Sequence, residues 1–399
     1  MSLQSVEQAL EQLLSAASPV LQSEVVPTLQ ATGRVLAKAI VSSVNVPPMD
    51  NAQMDGYAVR SADVPQAGCT LPVSQRIAAG QVGATLTVGT AARIFTGAPL
   101  PVGADAVVMQ EQVQVQGDAV TFNEVPQSGQ WVRRAGFDVQ AGAEVLAAGS
   151  VLGAAQLGLA ASVGCASVHV RRRLRVAVLF TGDELTMPGE PLAPGRIYNA
   201  NRFLLRGLLE GAGCEVVDLG QVADTLQATS NALQEAAGRA DLIITSGGVS
   251  VGEEDHVKAA VQSLGQIDLW QIAMKPGKPL AFGRVAQVPF IGLPGNPVSA
   301  YVTCVLMALP FIRACQGRSD VLPRALPMRA DFEWPKADRR REFLRVRRNA
   351  QGGLDVLPNQ NSAALTSIAG ADGLVDNPAG QIIQRGDVVQ YLPLALALS

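Results

Sequence analysis

The sequence predicts a multidomain α/β plus β fold, and three observations carry that reading. Between residues 175 and 320, short apolar runs alternate with helical patterns, the rhythm of βαβ units around a mostly parallel sheet. Residues 73–145 and those after 323 instead show brief β-like runs broken by turn residues, so a β-rich N-terminal module and a C-terminal β-barrel-like domain flank the centre. The chain has 399 residues and 48% hydrophobic content, more than one ordinary domain of about 150 residues and enough for several cores.

Taken in order, residues 5–17 place Val6, Leu10, Leu13, Leu14 and Ala17 at helical spacing, with Ser5 and Gln8 as a capping box. The stretch lacks a basic leader, so it reads as an amphipathic helix and not as a signal peptide. Pro47-Pro48 breaks regular structure and opens an irregular loop carrying Asp50 and Asp55. Residues 113–122 read as a hairpin turning at Gly117-Asp118. Residues 151–170 carry no charge, but Gly153, Gln156, Gly158 and Gly164 interrupt them; a small-residue helix and a buried strand fit better than a membrane span.

The central domain then reads strand 176–180, helix 199–211, strand 215–219, helix 226–237, strand 242–245 and helix 255–264. Strands at 267–273, 280–282 and 290–293 and a long helix at 298–315 complete it, followed by β-like runs at 343–347, 354–357 and 388–392. Such sheets bind ligands beyond the carboxyl ends of their strands.

Composition excludes several classes. A net charge of −3 gives no basic field for nucleic acid or anionic lipid. The five cysteines are scattered without a CxxC pair and read as reduced, mostly buried thiols, which indicates the cytoplasm. Two histidines, His169 and His256, leave little for a histidine-rich metal centre or a histidine triad. No P-loop or dinucleotide fingerprint occurs.

What remains is a set of strand-end loops. Glu184 follows one strand, and Gly247, Gly248, Ser250 and Asp255 follow another, joining close backbone approach to carboxylates. Carboxylates beside an anion site need a cation between them, and Mg2+ held by one or two carboxylates plus phosphate oxygens meets that need. Asp255 also reads as a plain helix N-cap and Glu184 as a solvated loop residue. Lys275 and Lys278 flank a Pro-Gly turn, where two ammonium groups can converge on an oxyanion; a solvated lysine pair is the plainer reading. Pro294, Pro297 and Ser299 belong to a strand-to-helix loop that exposes backbone N–H groups.

The ordered segments PPMDNAQMDGYAVR, TGAPLP, TGDEL, SGGVSVGEEDHV, MKPGKP and GLPGNPVSAY resemble the molybdopterin molybdenumtransferases, the MoeA and gephyrin E-domain family, over essentially the whole chain. The Val249-Ser250 wording separates it from MogA-type adenylyltransferases, which share the βαβ domain. The resemblance implies molybdenum insertion: adenylylated molybdopterin and molybdate enter, Mg2+ assists, and AMP and molybdenum cofactor leave. It implies an N-terminal helix (1–26) packed on a MogA-like α/β domain (175–320), a linking domain from 27–46 and 147–174, a β-rich module (47–146) and a C-terminal domain (321–399).

It further implies a homodimer whose site lies between the α/β domain of one subunit and the β-rich module of the other, with a MogA-type adenylyltransferase and molybdoenzyme-delivery proteins as partners. By the same resemblance, Asp55, Thr96 and Asp138 are functional positions of the module. Glu184, Asp224 and Asp255 are candidates for the metal or for water positioning, and Arg340 and Ser362 for molybdate contacts. The alternatives are a non-catalytic scaffold of the same fold, as the gephyrin likeness suggests, and a MogA-type adenylyltransferase.

Overall fold

The computed structural model describes residues 3–248 and 256–397. Its first helix, Val6–Ser15, starts where the capping box puts it: Gln8 N–H donates to Ser5 Oγ at 3.1 Å, and Ser5 N–H donates to Gln8 Oε1 at 3.0 Å. Val6, Ala9 and Leu13 are buried against the α/β domain, and Glu7 on the outer side pairs with Arg341 of the C-terminal domain.

The chain leaves and re-enters a small linking unit. Strand Ser23–Pro27 pairs antiparallel with Ser167–Arg171, and Ile40–Val41 pairs with Glu144–Leu146. Between these visits lies the β-rich module, a six-stranded sheet in the order Ala106–Met109, Gly56–Val59, Ala91–Ile94, Thr70–Ile77, Ala119–Phe122, Val113–Gln116. Its last two strands are the expected hairpin, paired from Val113↔Phe122 to Gln116↔Ala119. The uncharged stretch is a helix, Ala154–Ser162, followed by the strand Ser167–Arg171.

The α/β sheet has the order Glu215–Val222, Arg175–Thr181, Leu242–Ser246, Val288–Leu293, Pro279–Val285, Gly265–Gln271. The first four strands are parallel and the last two antiparallel. The apolar strand Leu242–Ser246 is buried throughout, as a strand covered on both faces must be. Separate apolar clusters lie on the two faces, one with Ala200–Gly211 and the long helix, one with Leu226–Arg239 and His256–Leu264. The parallel rhythm ends after residue 264 because the last strands turn back directly, and antiparallel neighbours need no crossover helix.

The helical stretch Pro297–Cys315 is apolar and long enough to cross a membrane, but 94% of its window is buried in this core. Its ladder widens to a π-segment at Cys304–Ala308, just before Pro310, which has no N–H to donate one turn back. All five cysteines are free, and Cys214, Cys304 and Cys315 are buried.

The C-terminal domain is built on Arg341–Arg348, Gly373–Asn377, Val388–Pro393 and Leu326–Arg329, with Leu354–Val356 beside the first of them. One edge of this sheet comes from outside the domain: Met274–Lys275 pairs in parallel with Arg341–Arg348, Lys275 opposite Glu342.

Candidate active site

The parallel registers Phe180↔Ser246 and Ser246↔Leu293 align three strand ends at one edge of the α/β sheet. A cavity of about 800 Å³ opens there, walled by Phe180, Thr181, Ser246 and Gly247, the start of helix Ala200–Gly211, the Lys275–Lys278 turn, residues 294–297, Ser299 and the C-terminal residues Arg340 and Gln360–Ser362. It joins the α/β and C-terminal domains of one chain.

Glu184 stands on this wall, exposed, just past the strand Arg175–Thr181. Gly182 makes room for it: its φ is +139°, and a Cβ there would lie 2.5 Å from Glu184 Oε2. Gln221 Nε2 fixes the loop by donating to Gly182 O at 3.0 Å and Leu185 O at 3.2 Å.

Sequence reasoning missed Asn201. Its Nδ2 donates to Ser246 Oγ at 2.8 Å and Gly295 O at 2.7 Å, while Ser246 Oγ donates to Pro294 O at 3.0 Å. One amide thus ties two strand-end loops to the helix, and its Oδ1 is buried without a partner beside the cavity. The asparagines that open the helix predicted at 199–211 were the available signal. Asn199 is indeed the N-cap, accepting from Arg202 N–H at 3.2 Å.

The lysines of the turn behave differently. Lys278 is exposed on the cavity wall with no acidic partner among the described residues. Lys275 Nζ donates to Glu342 Oε1 at 3.0 Å and Asp338 Oδ2 at 3.2 Å, so its charge is already engaged. Burial works against the Lys275 ammonium, but hydrogen bonds to Glu342 and then Asp338 raise its pKa above the ordinary lysine value. Burial likewise opposes ionisation of Asp338, yet the Arg340 backbone N–H, the Arg340 guanidinium and Lys275 outweigh it and hold the carboxyl down to about 2. Gly277, at φ +97°, lets the turn lie flat on the long helix, where any side chain would run into Thr303 Oγ1.

Ser362 reaches the site by docking on the long helix. Its carbonyl accepts from Val298 N–H at 3.0 Å, and its hydroxyl accepts from Asn296 Nδ2 at 3.3 Å. Behind it, Gln360 Nε2 donates to Arg345 O at 2.9 Å and Arg345 N–H donates back to Gln360 Oε1 at 2.9 Å. Arg345 itself is 1% exposed, has no carboxylate partner among the described residues, and burial pushes its pKa down to about 10.

Of the residues named from sequence, the cavity therefore gathers Glu184, Gly247, Lys275, Lys278, Pro294, Pro297, Ser299, Arg340 and Ser362. Gly248 and Asp224 do not line it. Asp224 follows Glu215–Val222, the outermost strand, in the turn that leads to helix Leu226–Arg239 on the opposite face. Asp55, Thr96 and Asp138 sit on the β-rich module, none of whose residues lines this cavity. Ser250 and Asp255 lie outside the described residues. Among the described residues no three His, Cys, Asp or Glu side chains cluster as a metal cage.

Three comparisons bear on this geometry. Residues 4–164 match the MoeA N-terminal region (domain I and II), 177–314 a probable molybdopterin binding domain, and 327–394 the MoeA C-terminal region (domain IV). The chain is 43% identical to the molybdopterin molybdenumtransferase of Haemophilus influenzae, over 79% of this chain and 78% of that one. The chain belongs to the molybdopterin molybdenumtransferase family, a family of transferases.

Molybdopterin molybdenumtransferase 2 of Mycobacterium tuberculosis is 38% identical over 94% of this chain and 95% of its own length. The crystal structure of the molybdopterin biosynthesis moeA protein of Pyrococcus horikoshii OT3 superposes with a TM-score of 0.86 at 27% identity, covering 98% of this chain and all of that one. The family likeness thus spans all the domains that build and flank the cavity.

Proposed function

We propose that this chain inserts molybdenum into molybdopterin, taking adenylylated molybdopterin and molybdate and releasing AMP and molybdenum cofactor. One observation carries the reading: a single cavity presents the Lys275–Lys278 turn, Ser299 and Ser362 to the same space. A tetrahedral oxyanion is held by cationic, N–H and O–H donors, and here they come from three separate segments. Lys278 brings a charge with no acidic partner among the described residues, Ser299 and Ser362 bring hydroxyls, and Arg340 stands beside them. The names of the relatives support the assignment.

Mg2+, when bound, neutralises charge on phosphate oxygens during anhydride cleavage. The residues present fit such an ion modestly. Mg2+ needs only one or two carboxylates when substrate phosphates supply the rest, and Glu184 offers one on the wall, with Gly182 leaving it room. Asn201 keeps the loops around Ser246 and Gly295 in place as the substrate enters.

The active unit in this reading is a homodimer. That no residue of 47–146 lines the cavity of its own chain supports Asp55, Thr96 and Asp138 acting in the partner's site. The free, largely buried thiols support a reducing cytoplasm, where a MogA-type adenylyltransferase would supply the substrate and a molybdoenzyme would receive the product.

The test is to incubate the full chain with adenylylated molybdopterin and Mg2+, with and without molybdate, and to follow AMP and cofactor together. Coupled appearance of both, dependent on molybdate, is expected. AMP release with no cofactor formed would overturn the reading.

A further inference from the structure

Two carboxylates of the C-terminal domain, Glu342 and Asp338, accept from the Lys275 ammonium, and an indole of the same domain, Trp334, donates to one of them. Glu342 is 2% exposed and sits directly opposite Lys275 where Met274–Lys275 joins the C-terminal sheet. One Glu342 oxygen accepts from Lys275 Nζ at 3.0 Å; the other accepts from Trp334 Nε1 at 2.7 Å. Asp338 shares itself between Lys275 at 3.2 Å and the Arg340 guanidinium, whose Nε lies at 3.3 Å.

A carboxylate this buried must be both paired and hydrogen-bonded to persist. Glu342 meets both conditions only while Lys275 is in place. The interaction is therefore mutual: Glu342 fixes the direction of a long, flexible side chain that would otherwise sample many rotamers. It also joins the oxyanion turn of one domain to the sheet of another. Exposed Lys278, three residues on, has no such partner among the described residues.

We propose that Glu342 is a positioning residue for the cavity, locking the Lys275 ammonium at the boundary between the α/β and C-terminal domains. The inference rests on reading this cavity as the reaction site, but its test needs no substrate, so the two can fail separately.

The experiment is competitive trace acetylation of the full-length protein, read lysine by lysine by peptide mass spectrometry, in wild type, Glu342→Gln and Asp338→Asn. Gln has the size of Glu and keeps an oxygen for Trp334, so the variant removes the charge and the oxygen that accepts from Lys275. Lys275 should acetylate more slowly than Lys278 in wild type. In Glu342→Gln its rate should rise by about threefold or more, the effect of about half a pKa unit, while Lys38 and Lys258 stay unchanged. Asp338→Asn should raise it less. An unchanged Lys275 rate in Glu342→Gln would overturn the proposal.

A second measurement covers failure of that variant to fold. Lys275→Met leaves the Glu342 charge buried and unpaired, so it should lower the melting temperature more than Lys275→Met combined with Glu342→Gln. A double variant no more stable than the single one would equally overturn the proposal.

Discussion

Thr96 donates both its backbone N–H, at 2.8 Å, and its hydroxyl, at 2.7 Å, to the same oxygen of Asp55. The two residues come from separate loops of the β-rich module, following Asn51–Ala52 and Ala91–Ile94. The Thr96 backbone bond, then its hydroxyl bond, lowers the Asp55 pKa below the ordinary aspartate value, with Arg93 adding a smaller pull. Thr96 thus keeps Asp55 ionised and aimed. Thr96→Val, which keeps the N–H but loses the hydroxyl, should raise the Asp55 pKa toward its ordinary value without unfolding the module. Carboxyl chemical shifts followed against pH check this; an unmoved titration would contradict it.

If the module serves the partner's cavity, two dead chains should repair each other. Asp55→Ala and Glu184→Ala homodimers should each release little AMP, while a mixed dimer carries one intact site. About a quarter to a half of wild-type activity is expected after co-expression, on the shared-interface logic of symmetric dimers. No recovery in a purified mixed dimer would contradict the shared site.

Lys278 is the cavity lysine with no acidic partner among the described residues. Losing one charge-assisted bond of about 2 kcal/mol corresponds to roughly thirtyfold in affinity. Lys278→Ala should therefore raise the molybdate concentration needed for half-maximal turnover by about that factor. An unchanged molybdate dependence would remove Lys278 from oxyanion binding.

The Asp338 cluster has a defined acid limit. Its carboxyl is lowered to about 2, below the ordinary value of 3.8. A depressed acid pKa gives stability that is full above the unfolded value and lost as pH falls through the folded one. The stability gap between wild type and Asp338→Asn should be constant above about pH 5 and shrink steadily between about pH 4 and pH 2. Urea midpoints measured along that range check it; a gap that grows on acidification would contradict it.

Asn201 should matter more for its donors than for its bulk. Removing a half-buried amide that serves two acceptors should cost about 2 kcal/mol in Asn201→Ala. Asn201→Asp should cost more, because it turns a carboxylate toward the Gly295 carbonyl. Urea unfolding of both variants checks the order.

Local features of this fold were legible in the sequence. The Ser5–Gln8 cap, the Gly117-Asp118 hairpin and the buried strand Leu242–Ser246 each follow from a few adjacent residues. So did most of the cavity, because strand-end loops of a parallel sheet converge by topology. Hidden were relationships made by distant pairing. Nothing near Lys275 announces Glu342, which meets it only because Met274–Lys275 joins another domain's sheet. Arg345 lies between the buried apolar residues Leu344 and Val346, and the Gln360 loop is hydrogen-bonded to its backbone. The antiparallel end of the α/β sheet was equally silent, since an apolar run does not state the direction of its neighbour.

The proposed oxyanion position lies between the Lys275–Lys278 turn and Ser362. Crystals soaked in molybdate and measured at the molybdenum absorption edge locate the metal directly. A single anomalous peak within hydrogen-bonding reach of Lys278 and Ser362 is the expected result. A peak outside this cavity, or none at a molybdate concentration that sustains turnover, would contradict the account.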